Sequence, residues 1–192
     1  MQILKDEIKN RIIEAATEEF FNNGFRIAST RRIIEKARVS KGNLYNYFQS
    51  KEELFYEIVT PVYNYMDYTL KDTFGHGDTE TFDPLQINLL ANQLCELLAE
   101  YRKQFIIILS KSEGTKYEGY KDQLINKLAE HYLKNFKTES DKEKMQILMQ
   151  ISAMNIINAL LEIARKYKDQ PWAKTSVELL MKYHLSGIKQ FY

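Results

Sequence analysis

The stretch STRRIIEKARVSKGNLYNYFQSKEEL, residues 29–54, decides the fold of this chain. Ser29 precedes Thr30 to Ala37, where Ile33, Ile34 and Ala37 recur at helical spacing, and serine at that place is a common N-cap. Only Arg38-Val39-Ser40 separates this run from a second short helix, capped by Ser40 and carrying Leu44 and Phe48 four residues apart. Ser50 with Glu53 is a capping-box pattern that opens a long helix through Leu54, Ile58, Val62, Met66 and Leu70. Pro61 inside that pattern predicts a kink or break near Thr60. Two short helices joined by a three-residue turn are the sequence form of a helix-turn-helix.

Moving outward, Ile8, Ile12, Ala15, Ala16 and Phe20 form a preceding amphipathic helix that stops at Asn22-Asn23-Gly24. On the other side, Phe74 to Phe82 reads as a loop, and Asp83-Pro84 with Gln86 opens a helix carrying Leu90, Leu94, Leu97 and Leu98. The run Phe105 to Leu109 suits a buried helix, because a lone strand would have no partner. Helices at about 117–136, 142–167 and 172–190 complete an all-α pattern of about nine.

The 192 residues are 44% apolar and 28% charged, enough for a packed core and too apolar for a disordered chain. Three Pro and seven Gly argue against a turn-rich β fold. One cysteine, Cys95, excludes an internal disulfide framework and a cysteine-rich zinc site. The start, Met-Gln-Ile-Leu-Lys-Asp-Glu, lacks a signal-peptide layout and no unbroken apolar run approaches a membrane span, which predicts a cytoplasmic protein with no membrane partner.

The net charge of +1 hides an asymmetry. Residues 26–51 hold seven basic side chains against one acid, Glu35, a net +6, whereas residues 52–192 sum to −3. A local basic patch on a near-neutral chain is the footprint of a polyanion-binding module. The interleaved residues make that polyanion double-stranded DNA. A helix entering the major groove must show small polar groups, and Lys41, Gly42, Asn43 and Asn46 fit. Flanking donors must meet phosphates, and Ser29, Thr30, Tyr45, Tyr47 and Lys51 fit, the last at a helix start where backbone amides favour an anion. The competing readings are plain surface polars for Lys41 and Asn43, an i,i+4 ion pair to Glu35 for Arg31, and half-buried packing for the tyrosines.

Residues 29–54, with the preceding helix IIEAATEEFFNNGF at 12–25, resemble the DNA-binding signature of the tetracycline-repressor (TetR) family of bacterial regulators. The resemblance covers about the first 55 residues and implies a three-helix head, residues 1–50, on a helical ligand-binding and dimerisation domain, residues 51–192. It places Arg31 at the start of the second helix, able to reach a base edge or a phosphate. Lys41, Gly42 and Asn43 become the groove-facing start of the recognition helix, Tyr45 and Tyr47 lie against phosphates, and Lys51 pairs with a phosphate. Three positions depart from the family pattern. Arg38 stands where the turn usually has Gly, which calls for a left-handed or strained backbone or a different turn. Ile34 replaces a small residue, and Tyr47 stands where His is common while keeping a hydroxyl donor.

Beyond the head no catalytic constellation, phosphate loop or nucleophile motif appears, and no cofactor is implied, so the chain reads as a binding protein and not an enzyme. His76 lies beside Asp78, Glu80 and Asp83, but a solvated loop explains them better than a metal site. The resemblance implies an effector pocket between the long helix and those that follow. By position Tyr63, Met66, Leu94, Phe105, Leu109, Tyr117 and Tyr120 are the candidates, with core packing as the competing reading. The helix at 142–167 is apolar on two sides, one stripe holding Met145, Leu148 and Ser152, another Ile147, Ile151 and Met154. Such a helix needs two partners. The helix at 172–190 is one, and a second copy of the chain would be the other, giving a four-helix homodimer interface. A homodimer would read a palindromic operator. The expectation is a ligand-responsive repressor, with a DNA-binding adaptor lacking an inducer, and then a helical enzyme, as its rivals.

Overall fold

The computed structural model describes residues 2–75, 84–134 and 142–191. They form eight α-helices and no strand: α1 (Gln2–Ile27), α2 (Thr30–Ala37), α3 (Lys41–Tyr47), α4 (Lys51–Gly75), α5 (Pro84–Ser110), α6 (Tyr120–Lys134), α7 (Lys142–Lys166) and α8 (Gln170–Ile188), closed by a 3-10 turn at Lys189–Phe191. The all-α expectation holds, with eight helices where about nine were predicted. Residues 76–82, with His76 and its acidic neighbours, and Asp83 lie outside the described residues.

The chain divides into two compact units, Met1–Asn64 with Lys103–Gly119, and Tyr65–Arg102 with Tyr120–Tyr192. In the first, α1 buries Ile12, Ala16 and Phe20, α2 buries Ile33 and Ala37, and α3 buries Leu44. The rings of Phe20, Phe25 and Phe55 meet with centroids 5.1–6.0 Å apart. Each such ring contributes roughly 2–3 kcal/mol by leaving water. That cluster fixes the frame on which the short helices stand.

Gly24 interrupts α1 at φ 72, ψ 162, a region nearly closed to residues with a Cβ. The interruption turns the Phe25 N–H onto the Lys111 carbonyl at 2.8 Å. Arg26 then pairs with Glu113 at 2.5 Å, and Lys103 with Glu18. The end of α5 and the turn after it therefore pack with the amino-terminal helices.

Three local expectations change. α4 runs through Pro61 without a break; Pro61 itself is exposed, and the neighbouring Ile58, Val59 and Val62 are buried and hold the helix in place. α6 starts at Tyr120 and not at 117, because Gly114 and Gly119 take left-handed φ of 85° and 76°. Between them Thr115 N–H bonds Ser112 O at 3.1 Å and Glu118 N–H bonds Thr115 O at 3.0 Å, as turns. Ser29 takes the extended N-cap conformation of α2 but makes no side-chain cap bond.

In the second unit α6 packs on α7 and α7 on α8. Asp169 caps α8, accepting from the Trp172 N–H at 2.8 Å, with Pro171 in the first turn. α7 is long and apolar enough to cross a membrane by length and composition alone. Its buried face carries Met149, Ala153, Ile156, Leu160 and Ala164. That face is neither of the two predicted stripes: Met145, Leu148 and Ser152 are half-buried, and Ile147, Ile151 and Met154 are exposed. On α8 Val177, Met181, His184 and Ile188 are buried within the unit and Leu180 is half-buried, while Leu179 and Tyr183 are exposed.

Candidate nucleic-acid interface

α3 is seven residues long and gains its order from its ends and its underside. The Ser40 hydroxyl accepts the Asn43 N–H at 3.1 Å, the N-cap bond expected from the sequence. Leu44 and Phe48 are buried below, at 2% and 3% exposure. The opposite face presents Lys41, Gly42, Tyr45 and Asn46 as exposed residues, with Asn43 half-buried at the N-terminal end. Lys41 Nζ lies 5.9 Å from the Tyr45 ring centroid. Gly42 is not held by its backbone angles, and a Cβ there would meet only Ser40 Oγ at 3.8 Å. The open backbone leaves room for close approach by another molecule.

The turn before α3 is a Schellman closure. Val39 N–H donates to Ile34 O at 3.2 Å and Arg38 N–H to Glu35 O at 3.3 Å. Arg38 sits between them at φ 55, ψ 47, the sole non-glycine left-handed residue among those described. The replacement of glycine is therefore accommodated by the left-handed backbone, with the turn geometry kept.

The donors proposed for phosphate differ in what they already hold. Ser29 and Thr30 are half-buried at the start of α2. Arg31 is 87% exposed and donates to Glu35 at 2.9 Å, so the i,i+4 partner is present. The Tyr47 hydroxyl donates to the Lys5 carbonyl at 3.0 Å. A phenol has one hydrogen to give, so in this arrangement Tyr47 ties α1 to α3. Lys51 Nζ donates to Phe25 O at 2.9 Å and Ala28 O at 3.2 Å and lies 4.5 Å from the Phe25 ring centroid. Two of its three hydrogens close the end of α1, leaving one for an outside anion. Behind it, Glu53 N–H donates to Ser50 Oγ at 3.0 Å and Gln49 N–H to Glu53 at 2.6 Å, which completes the predicted cap of α4.

One group at this site escaped the sequence reading. Glu19, on α1, is 8% exposed, and its Oε1 accepts from Ser29 N–H at 3.0 Å, Arg32 Nε at 2.8 Å and Arg32 Nη2 at 2.5 Å. Burial pushes its carboxyl up, but Arg32 and the Ser29 N–H outweigh burial and hold it below the usual carboxylate range. The available signal was an acid on the apolar stripe of α1, seven residues after Ile12 and next to Phe20.

The seven effector-pocket candidates divide between the units. Tyr63, Phe105, Leu109 and Tyr117 belong to the first and Met66, Leu94 and Tyr120 to the second. Met66, Phe105, Leu109, Tyr117 and Tyr120 are buried, and Tyr63 and Leu94 half-buried. Tyr63 and Tyr117 meet at 5.3 Å between ring centroids. None of the seven lines the groove of about 480 Å³ between α5 and α8, which is bounded by Ile87, Ala91, Met181, Lys182 and Leu185 among others.

Residues 12–58 match the tetR family of bacterial regulatory proteins. The amino-terminal segment, residues 12–58, is a domain of that family. It is 30% identical over 141 residues to the HTH-type transcriptional regulator QacR of Staphylococcus aureus, covering 73% of this chain and 62% of QacR. The match thus spans about three fifths of that relative. Among solved structures, a TetR-like transcriptional regulator from Rhodococcus sp. RHA1 superposes with TM-score 0.60 at 20% identity, over 94% of this chain and 96% of that one. NalD of Pseudomonas aeruginosa, described as the secondary repressor of the MexAB-OprM multidrug efflux pump, superposes with TM-score 0.56 at 20% identity, over 95% and 96%. The two structures share its fold.

Proposed function

We propose that this chain is a homodimeric, sequence-specific DNA-binding transcriptional regulator of the bacterial cytoplasm, a repressor released from a palindromic operator by a small molecule. The observation that carries the reading is the face of α3, where Lys41, Gly42 and Asn46 stand exposed above buried Leu44 and Phe48. That face has the size and polarity to read base edges. Residues 1–50 are the DNA-binding part and 51–192 the ligand-binding and dimerisation part. Ser29, Thr30, Arg31 and Tyr45 meet the phosphate backbone, Lys51 with its remaining hydrogen, and Tyr47 only by exchanging its bond to Lys5. The repressor role is supported by the description of NalD.

Homodimerisation is supported by the exposed apolar residues of α7 and α8, Ile147, Ile151, Met154, Leu179 and Tyr183. A two-fold interface uses one such patch on both copies. Burial of five of the seven pocket candidates is the observation that favours the second reading, an adaptor of this fold without an inducer.

The experiment is selection of duplexes from a random-sequence pool, followed by salt titration of the winners. A selected palindrome whose binding weakens steeply with salt is the expected result. Asn43→Ala is expected to relax base preference, and Lys41→Ala to weaken binding. Equal binding of every duplex by the native protein overturns the proposal. Sedimentation of native protein and of Ile151→Glu tests the dimer, with a change from two copies to one expected.

A further inference from the structure

Helix α2 is eight residues long and its N-cap serine does not use its own side chain as a cap. An isolated helix of that length cannot hold its own direction. What holds its start is a carboxylate from another helix. A single oxygen of Glu19 takes the backbone N–H of Ser29 and two N–H groups of Arg32, and Arg32 Nη2 also donates to Ile27 O at 3.0 Å. Glu19 thus fixes both the entry to α2 and the direction of a cation within it.

The arrangement has an electrostatic side. A bare carboxylate beside a polyanion would repel it. Here the Glu19 side chain is 9% exposed and paired, while its Arg32 partner is 50% exposed. The pair is neutral, and Ser29, Thr30 and Arg31 stand at the helix start it fixes.

We infer that Glu19 is a positioning residue for operator recognition: through Ser29 N–H and Arg32 it sets the start of α2, and it keeps the Arg32 charge from binding DNA indiscriminately. The inference rests on the DNA-binding reading above. Glu19 touches no base.

The test uses full-length protein, the duplex selected by the native chain, and a scrambled duplex of equal length. Glu19→Gln keeps an acceptor for Ser29 N–H but removes the negative charge that neutralises Arg32. Expected are an operator affinity about tenfold lower, in the range of one lost specific contact, and a scrambled-duplex affinity unchanged or higher. The salt slope on scrambled DNA should steepen by up to about 0.9, since one cation is released to meet phosphate. In case Glu19→Gln folds poorly, Glu19→Leu with Arg32→Leu replaces the pair by apolar side chains, an exchange cores often accept. That double variant should stay folded and lose the operator preference without the steeper slope. Unchanged affinity for both duplexes, or an equal loss on both that tracks a lowered melting temperature, overturns the inference. A native protein that selects no duplex overturns the regulator reading on which it rests.

Discussion

At the scale of single residues, the head shows how a donor's other bonds limit what it can offer. Arg38 stands left-handed at φ 55, which costs a residue with a Cβ roughly 1–2 kcal/mol. Arg38→Gly should therefore stabilise the chain by about 1 kcal/mol, after the larger backbone entropy that glycine loses. The urea midpoint should rise, and a lowered midpoint would refute the strain. Tyr47 and Lys51 were legible as hydrogen-bond donors, but not as donors already engaged. Their acceptors Lys5 O, Phe25 O and Ala28 O lie 23 to 42 residues away in sequence. Tyr47→Phe should cost about 1 kcal/mol by leaving the Lys5 carbonyl to water or unsatisfied. Operator affinity should fall along with stability; an affinity loss with stability unchanged would instead place the hydroxyl on a phosphate.

At the scale of elements, caps and glycines decided where helices begin and end. Ser40 caps as its sequence context indicates, because a cap bond spans three residues, and Asp169 caps α8 in the same way. Ser29 makes no side-chain cap bond, and its own N–H donates to a carboxylate ten residues upstream, Glu19. α3 depends on its cap more than a long helix would. Ser40→Ala should cost about 1 kcal/mol. The loss should appear as a lowered urea midpoint and as faster amide exchange at Asn43; protection of that amide unchanged from native would show that the cap contributes nothing.

At the scale of the whole molecule, two histidines, His184 buried and His131 half-buried, set a pH limit. Burial lowers His184 to about 4, and its ring nitrogen meets the Tyr132 hydroxyl at 2.9 Å. Burial likewise lowers His131 to about 4, with Lys134 adding to the effect. The folded chain keeps both neutral, whereas the unfolded chain protonates them below about 6.5. Stability should be full above pH 6.5 and fall progressively toward pH 4, by roughly 3 kcal/mol for His184 alone. Urea midpoints between pH 7 and 5 check this before most carboxylates titrate. A flat profile across that window would count against neutral histidines in the folded chain. Protonated His184 would loosen α8 from Tyr132 of α6, in the half of the chain proposed to dimerise.

By itself the sequence determined the all-helical class, the short-turn-short pattern of α2 and α3, most helix ends and the polar face of α3. Each depends on residues within a turn or two of one another, where periodicity and capping act. Only the tertiary structure decided that Glu19 holds α2, that Tyr47 and Lys51 are partly engaged, and that α5's end packs with the amino-terminal helices through Phe25 and Lys111. It also decided which stripe of α7 stays outside. Those choices rest on hydrogen-bond and packing partners distant in sequence, which no local spacing specifies.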